Sequence, residues 1–220
     1  MSDRGILVIG TRRYSSWSMR GWLLVRLAGL DPVERMIPLG AAPGSIGDAS
    51  PSGLVPYLSH DGHQVWESLA IAEYCAELSP ALWPETLAAR THARVLSAEM
   101  HAGFRALRLA LPMNLGRDRP LAGGIPIDVQ ADIDRIERLW TATRARFGAR
   151  GPYLFGAGFG AADAMFAPVA ARLAGYRIRL GDVAASYCAE LLAHPLVRAW
   201  YEAAEAEPVS WRLDRYESVA

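Results

Sequence analysis

Residues 5–29 read GILVIGTRRYSSWSMRGWLLVRLAG: a short apolar run, a turn rich in hydroxyl groups, and a longer apolar segment. The first run, at 5–10, is bounded by glycines, as is typical of a buried strand. The longer segment has apolar residues at helical spacing, and Gly29 stands where such a helix would end. Serines ahead of a helix are common N-caps, because their hydroxyl oxygens accept hydrogen bonds from free backbone amides. The stretch therefore predicts a strand, a turn and a helix, and leaves open whether the turn serines also hold a reactive group.

The residues after this helix predict three further strands and a second helix. Residues 33–39 alternate as a strand does, and 54–68 predict two strands joined by an Asp-Gly turn. Residues 40–53 between them have the composition of a loop. Ser68 stands at the N-cap position of an apolar helix. The order strand, helix, strand, strand, strand, helix indicates an α/β domain at 1–79.

Two prolines interrupt this pattern in the segment SPALWP at 79–84, and the apolar period afterwards is helical. We expect a linker at 80–85 and an all-helical domain at 86–220. Its predicted helices cover 86–111, 127–148, 161–175, 183–193 and 195–206. Asp163 follows Gly160 by three residues, the spacing of a capping box, and is interpreted as a structural acid at the start of a helix.

The composition is that of an ordinary globular protein and excludes several enzyme classes. The 220 residues include 23 acidic and 23 basic side chains, and every basic one is arginine. Without lysine the chain cannot form a Schiff base or supply the lysine of a P-loop. The two cysteines form no CxxC pair and the five histidines do not cluster, so no metal site is predicted. Since no basic excess, signal peptide or membrane-spanning run is present, we expect no nucleic-acid or membrane partner and a cytoplasmic location.

Pro56 stands inside an apparent strand, LVPYL at 54–58. Proline has no N–H group for the ladder, so this position is an edge or a bend, and a cis Val55–Pro56 bond is one way to form the bend. Such an edge leaves the backbone of Val55 free to pair with an extended peptide. The alternative is a trans edge proline, which is the commoner form.

Glu67 and Ser68 stand immediately ahead of the second helix. The free amides of a helix N-terminus together with a serine hydroxyl form a site for a carboxylate. Glu67 beside it could accept hydrogen bonds from an ammonium group, so the pair would hold both ends of an amino acid. The alternative is that Ser68 is only a cap and Glu67 a favourable first-turn charge.

Four segments in this order resemble the glutathione transferase family: YSSWSMR at 14–20, LVPYL at 54–58, WESLAIAEYCAEL at 66–78 and FGAADAMFAPV at 159–169. Each is weak alone, but the ordered set is specific and spans nearly the whole chain. The serine segment is most similar to the zeta class, with Trp17 in place of a cysteine and Met19 in place of an aromatic residue. The resemblance implies a thioredoxin-like α/β N-terminal domain, an all-α C-terminal domain and, usually, a homodimer.

The resemblance also implies how glutathione, the co-substrate, would bind. Ser15 would lie nearest the glutathione sulfur, with Ser16 close by, and a hydrogen bond donated there favours the thiolate. Which of the two makes that bond stays open. The other implied glutathione-binding residues are Trp17, Val55, a cis Pro56, Glu67 and Ser68. Glu67 departs from the zeta pattern, which has glutamine at this position.

The first long helix of the predicted helical domain carries His101, Phe104 and Arg108 within two turns. In the family this helix lines the pocket for the second substrate, and an arginine there could attract an acidic electrophile. The alternative is a helix face packed in the core or against a partner subunit, because periodicity does not separate a pocket from a core. Tyr14 is a further candidate for this pocket.

The resemblance therefore implies a serine-type glutathione S-transferase, acting in detoxification, in which the glutathione thiolate attacks a small electrophile. One alternative is a glutathione-dependent cis–trans isomerase similar to maleylacetoacetate isomerases. Another is a non-catalytic binding protein of the same fold, although intact Ser15, Glu67 and Ser68 favour an enzyme. A reductase or peroxidase is disfavoured, because Trp17 replaces the cysteine that such enzymes often use.

Overall fold

The structure is a computed structural model that describes residues 4–42 and 45–219. Its N-terminal part holds a sheet of four strands, β1 Ile6–Gly10, β2 Val33–Ile37, β3 Tyr57–His60 and β4 His63–Trp66. In the order β2-β1-β3-β4, β1 runs parallel to β2 and antiparallel to β3, and β3 pairs with β4 as a hairpin. Asp61 and Gly62 form the hairpin turn with positive φ, as the Asp-Gly pair predicts.

Helices α1 (Ser16–Leu27) and α2 (Ser68–Leu78) pack against each other and against this sheet. The Val55–Pro56 bond is cis, and β3 begins directly after it at Tyr57. A Cβ atom on Gly21 would lie 2.7 Å from Pro56 Cβ and Cγ, so only glycine lets α1 approach the proline this closely. The proline bend therefore packs directly on α1. The predicted order of strands and helices in this part is confirmed.

The described chain beyond α2 consists of helices joined by turns and loops. Their bounds are α3 Leu87–Ala102, α4 Arg105–Ala110, α5 Ile127–Phe147, α6 Ala161–Gly175, α7 Asp182–Ala193, α8 Pro195–Glu205 and α9 Asp214–Glu217, with 3-10 turns at Pro80–Leu82 and Val209–Trp211. Four of the five predicted helices are confirmed to within one residue at each end. The short α9 was not predicted, because four residues carry too little periodicity to be recognised.

The prediction of one continuous helix at 86–111 is wrong, because the chain breaks at Gly103 and Phe104. Phe104 has a φ of 60°, a left-handed conformation that a right-handed helix cannot contain. Beyond the break, Arg108 donates from Nε to the Gly103 carbonyl at 3.0 Å and from Nη2 to the Met100 carbonyl. The break thus redirects α4 and fastens Arg108 to the C-terminal end of α3.

Helix α6 forms the centre of the helical part, and every residue from Ala161 to Leu173 is buried. Asp163 in its first turn accepts three hydrogen bonds, from Gly160 N at 2.9 Å, Leu154 N at 3.2 Å and the Tyr187 hydroxyl at 2.7 Å. Burial raises the pKa of the Asp163 carboxyl from 3.8 to about 6, although these bonds oppose the shift. The structural role predicted for Asp163 is confirmed by this network.

Arg20 connects the N-terminal part to the helical part, since its Nε donates to the Met165 carbonyl of α6 at 2.8 Å. Helix α2 ends at Leu78 and α3 begins at Leu87, and a domain division between them at 80–85 stays a prediction. Within 4–42 and 45–219, no helix is both long and apolar enough to cross a membrane.

Candidate active site

Two adjoining cavities lie at the N-termini of α1 and α2. The α1 cavity, of about 350 Å³, is lined by Tyr14, Ser15 and Ser16 together with residues of α4, α6 and the C-terminal segment. The α2 cavity, of about 360 Å³, is lined by Glu67, Ser68 and the end of α3. Three residues line both cavities: Trp17, Leu54 and Val55. The shared wall therefore joins the cavity that contains Ser15 and Ser16 to the cavity that contains Glu67 and Ser68.

Ser15 is the N-cap of α1, and its Oγ accepts a hydrogen bond from Ser18 N at 3.2 Å. The same Oγ donates to Ser18 Oγ at 2.8 Å, and Ser18 Oγ accepts from Gly10 N at 2.9 Å. Because hydroxyl hydrogens rotate, Ser18 can instead donate to Ser15, and the Ser15 hydrogen is then available to the cavity. Ser15 is therefore both a helix cap and a potential donor beside the free amides of the helix N-terminus.

Ser16, the first residue of α1, is held by a cation from α6. Arg172 Nη2 donates to Ser16 Oγ at 3.0 Å, so the hydroxyl hydrogen of Ser16 is available to the cavity. The other donors of Arg172 bind the carbonyls of Leu111 and Pro168. Burial, together with the charge of Arg108, lowers the pKa of Arg172 from 12.5 to about 9, which leaves it charged at neutral pH. Arg172 thus orients one candidate hydroxyl and adds positive charge beside it.

Two further arginines flank the indole of Trp17. The Cζ atoms of Arg20 and Arg108 lie 4.7 Å and 4.8 Å from the ring centroid, within cation–π distance. Arg20 Nη1 and Nη2 and Arg108 Nη1 are buried without a hydrogen-bond partner among the described residues. Burial lowers the pKa of both arginines. Because no described carboxylate forms an ion pair with either, the wall around Trp17 favours an anion.

The α2 cavity contains a buried hydroxyl without a protein partner. The prediction that Ser68 is the N-cap of α2 is wrong: Glu67 occupies that position and Ser68 is the first helical residue. Ser68 is 1% exposed, and its Oγ makes no hydrogen bond to the described residues. Leaving a buried polar group unsatisfied costs roughly 1–3 kcal/mol, so a polar ligand here would relieve a penalty already present. Glu67, just before it, has a φ of 67°, a strained conformation that often marks ligand sites.

His101 lies at the end of α3 beside this pair. Its Nε2 is 3.5 Å from Glu67 Oε2, and its ring meets Trp17 edge-on at a centroid distance of 5.2 Å. Burial lowers the pKa of His101 below 6.5, against the opposing charge of Glu67. His101 is therefore mostly neutral at pH 7, so Glu67 has no charged partner there among the described residues.

Tyr14 borders the α1 cavity, but its hydroxyl is already engaged. It donates to Glu217 Oε1 at 2.6 Å and accepts from Leu213 N at 3.2 Å. Burial and the bond to Glu217 raise the pKa of Tyr14. The Tyr14 hydroxyl therefore binds the C-terminal segment, and it is not free to bind a second substrate. Tyr14 still lines the α1 cavity.

The residues predicted to share a second-substrate pocket are divided by the structure. Arg108 lines the α1 cavity with Tyr14, whereas His101 lines the α2 cavity. Phe104 lines neither; it is 6% exposed and packs in the hydrophobic core. The expectation for Phe104 is therefore corrected, because the break after α3 interrupts the helical spacing on which it rested.

Sequence reasoning missed cavity residues that come from distant segments. Arg172 of α6 and Arg215 and Tyr216 near the C-terminus line the α1 cavity, and no local pattern connects them to the N-terminal serines. Arg20, which lies against the Trp17 ring but lines neither cavity, did carry a signal. It is a charged residue in the middle of an apolar helix, and burial of such a residue points to a special environment.

Other features of the described chain contribute less to the site. A larger cavity, of about 440 Å³, lies between α6 and α8 and contains none of the predicted site residues. No three histidine, cysteine or acidic side chains in the described ranges are placed to hold a metal ion. Cys75 and Cys188 are buried, which raises the pKa of their thiols to about 12 and about 11. We therefore place the site at the α1 and α2 cavities, where donor hydroxyls and positive charge converge.

Two family models match the chain. Residues 14–78 match the model described as glutathione S-transferase, N-terminal domain, and residues 115–203 match the one described as glutathione S-transferase, C-terminal domain. Together these matches cover more than half of the sequence. A search of curated proteins found no match.

The fold is similar to that of solved glutathione transferases. A homologue from Burkholderia with bound glutathione has 23% identity and a TM-score of 0.67, covering 92% of this chain and 99% of that one. A theta-class enzyme from Xanthomonas axonopodis pv. citri, also with glutathione bound, has 20% identity and a TM-score of 0.65, covering 95% and 100%. A bacterial zeta-class maleylpyruvate isomerase has 21% identity and a TM-score of 0.71, covering 93% and 100%. With its thioredoxin-like and helical parts and both family matches, the chain belongs to the glutathione transferase superfamily.

Proposed function

We propose that the protein is a serine-type glutathione S-transferase. The observation that carries the proposal is the wall shared by the two cavities, which puts Glu67 and Ser68 next to Ser15 and Ser16. Glutathione has an amino-acid group at its γ-glutamyl end and a thiol on its central residue, so it requires both sets of residues. The glutathione bound to the Burkholderia and Xanthomonas relatives supports this choice of ligand.

In this proposal the α2 cavity holds the γ-glutamyl end. Ser68 Oγ and the free amides of α2 bind the carboxylate, and Glu67 binds the ammonium group. None of the described backbone hydrogen bonds between loops, turns and caps uses Val55, so its amide and carbonyl can pair with the cysteinyl residue. Trp17, on the shared wall, packs against the peptide between the two ends.

Ser68→Ala should weaken glutathione binding about tenfold, because it removes a buried donor that a carboxylate would engage. Calorimetric titration with glutathione measures the change. Ser97→Ala is the matched control, since Ser97 is equally buried and unpartnered but lines neither cavity. Equal affinities for wild type and Ser68→Ala would remove Ser68 from the proposed site.

In the α1 cavity the same proposal assigns the sulfur to the hydroxyl pair. A thiol has a pKa of about 8.5. Hydrogen-bond donation from Ser15, the N-terminus of α1 and the nearby arginines would each lower the pKa of the bound thiol. The thiolate sulfur then forms a bond to an electrophilic carbon, and the leaving group departs with its bonding electrons. The thiol proton passes to solvent.

The charge of the α1 cavity favours an acidic electrophile, and this supports isomerisation as a second candidate. Arg108, Arg172 and Arg215 line the cavity, and none of the described residues that line it is acidic. A carboxylated cis-alkene would fit this charge. Addition of the thiolate, rotation about the resulting single bond and elimination would return glutathione unchanged. The name of the zeta-class neighbour, a maleylpyruvate isomerase, supports this alternative.

Calorimetry with glutathione, followed by turnover with an aryl halide, a peroxide and a maleyl-type cis-alkene, tests the proposal. Glutathione binding with aryl-halide turnover is the expected result. Binding with turnover of the alkene alone would favour the isomerase, and binding without turnover of any substrate would favour a non-catalytic binding protein. The absence of glutathione binding would overturn the proposal.

We also infer that the protein is a homodimer. Large apolar side chains are exposed on β4 and α3, among them Trp66 at 43%, Leu87 at 72% and Val95 at 55%. Sedimentation equilibrium should give about twice the chain mass of 23.9 kDa. Val95→Arg should shift the equilibrium toward monomer, whereas Val209→Arg, also at an exposed apolar position, should not. A wild-type monomer at micromolar concentration would contradict the inference.

A further inference from the structure

The final described residues form a strap, defined here as residues 212–219, which borders the α1 cavity. We propose that Arg215, which this strap carries, binds an anionic group of the electrophile remote from the carbon that reacts. The proposal rests on the function proposed above. It gives a substrate-contacting role to a residue that the sequence did not single out.

The strap is fixed to the helical part by hydrogen bonds to its backbone. Arg117 Nη1 donates to the Val219 carbonyl at 2.6 Å, and Arg119 Nη2 donates to the Glu217 carbonyl at 2.9 Å. Asn114 Nδ2 donates to the Tyr216 carbonyl at 3.2 Å. Backbone anchoring of this kind holds the segment in place whatever side chains it carries, so the strap can present them to the cavity.

A second set of contacts, made by side chains, joins the strap to the residues just before α1. Glu217 Oε1 accepts from Arg13 Nε at 2.8 Å and from the Tyr14 hydroxyl at 2.6 Å. The rings of Tyr14 and Tyr216 stack at a centroid distance of 4.8 Å. Burial opposes ionisation of Glu217, but its bonds to Arg13 and Tyr14 outweigh this and lower its pKa to about 2. Because Glu217 stays ionised above about pH 2, these contacts hold the strap next to Ser15 and Ser16 throughout the ordinary pH range.

Arg215 is the least engaged of the three arginines that line the cavity. Arg172 is held by Ser16 and two carbonyls, and Arg108 by the carbonyls that end α3. Arg215 is exposed, and its guanidinium makes one described contact, with the Tyr216 ring at 5.0 Å. Its hydrogen-bond donors are therefore available to a ligand.

The charge of the residues that line the α1 cavity favours an anionic ligand. The described lining of the α1 cavity contains no carboxylate, and the negative charge of Glu217 on the strap is neutralised by Arg13. An anionic group near Arg215 would meet positive charge with no acid in the cavity lining, since the neighbouring strap acid Asp214 is exposed and lies outside that lining. Since Arg215 is carried by the strap and the serines by α1, this anionic group is separate from the carbon that the sulfur attacks.

The test compares 4-chloro-3-nitrobenzoate with its uncharged amide, 4-chloro-3-nitrobenzamide. In both, a carbon–sulfur bond forms, the carbon–chlorine bond breaks and chloride leaves. The two differ in the charge of the group para to the reacting carbon and also in intrinsic reactivity, which cancels when the benzoate-to-amide ratio is compared between variants. For wild type we expect kcat/KM, divided by the uncatalysed rate constant of each substrate, to favour the benzoate. Arg215→Gln should lower the benzoate-to-amide ratio about tenfold, the size expected for one charge-assisted hydrogen bond. Arg212→Gln, which removes another exposed strap arginine outside this cavity's lining, should leave the ratio unchanged.

A binding measurement separates this proposal from the proposed function. Each variant is titrated calorimetrically with 3-nitrobenzoate and with 3-nitrobenzamide. Neither compound carries the chlorine leaving group, so the titration measures binding without turnover. Selective loss of 3-nitrobenzoate binding in Arg215→Gln would support the role of Arg215 even if the protein proved inactive with glutathione. Equal benzoate-to-amide ratios in wild type, Arg215→Gln and Arg212→Gln, in both binding and turnover, would overturn it while leaving glutathione transfer intact.

Discussion

Ser15→Ala is expected to slow turnover of aryl halides about 10²-fold and to raise the pKa of bound glutathione toward the ordinary thiol value of about 8.5. A donor that stabilises developing or resident negative charge in a site with little water contributes about this much to the rate. The variant also loses the cap of α1, because Ser15 Oγ accepts from Ser18 N. Some loss of stability, about 1 kcal/mol, should therefore accompany the loss of rate.

The hydrogen bonds around Ser15 predict how its neighbours behave. Ser18 Oγ is held by Gly10 N and lies 2.8 Å from Ser15 Oγ, so Ser18→Ala should have a smaller effect of the same sign. Ser16 Oγ already accepts from Arg172, and Ser16→Ala would leave that buried cation without one of its partners. If Ser16 rather than Ser15 contacts the sulfur, the larger rate loss moves to Ser16→Ala.

Thiolate absorbance of bound glutathione against pH is the measurement that separates these cases. A raised pKa in Ser15→Ala with the wild-type value in Ser16→Ala would assign the bond to Ser15. The opposite pattern would assign it to Ser16. An unchanged titration in both variants, at full glutathione binding, would show that the helix N-terminus and the arginines lower the thiol pKa without either hydroxyl.

Asp163→Ala is expected to lower the free energy of unfolding by about 3 kcal/mol at pH 7. The substitution leaves three donors without an acceptor, the amides of Gly160 and Leu154 and the hydroxyl of Tyr187, at the start of the most buried helix. Each unsatisfied buried group costs roughly 1–3 kcal/mol, and partial access to water reduces the sum. Urea unfolding measures the change, and a loss below 1 kcal/mol would show that water replaces the carboxylate.

Asp163→Asn is the matched control, because it keeps one acceptor oxygen but does not titrate. We expect an intermediate loss of stability. The folded carboxyl has a pKa of about 6 against 3.8 when unfolded, so the folded state binds more protons between these values. Wild-type stability relative to Asp163→Asn should therefore fall as pH rises from about 4 to about 6 and level off above that. A difference that instead rises with pH would mean that the hydrogen bonds outweigh burial.

The α/β half of the chain could be predicted element by element because its signals are local. The apolar run at 5–10, the Asp-Gly turn and the N-cap at Ser15 each specify a short structure from a few neighbouring residues. The break between α3 and α4 could not be predicted in this way. The apolar spacing across 96–111 favours a continuous helix. Gly103, the C-cap of α3, is a local signal against it, but a glycine alone does not predict the left-handed φ of 60° at Phe104.

By itself the sequence determined the superfamily, the order of the strands and the first helices, and which serines and acid stand at helix N-termini. The superfamily follows from the resemblance of four ordered segments, and the other properties follow from periodicity, caps and turn residues, which act over a few positions. Only the tertiary structure brought Arg172 to Ser16, engaged Tyr14 with Glu217 and placed Arg215 on the α1 cavity. These contacts join residues far apart in the chain, and they arise because α6 and the strap pack against the start of α1, an arrangement that no local pattern encodes.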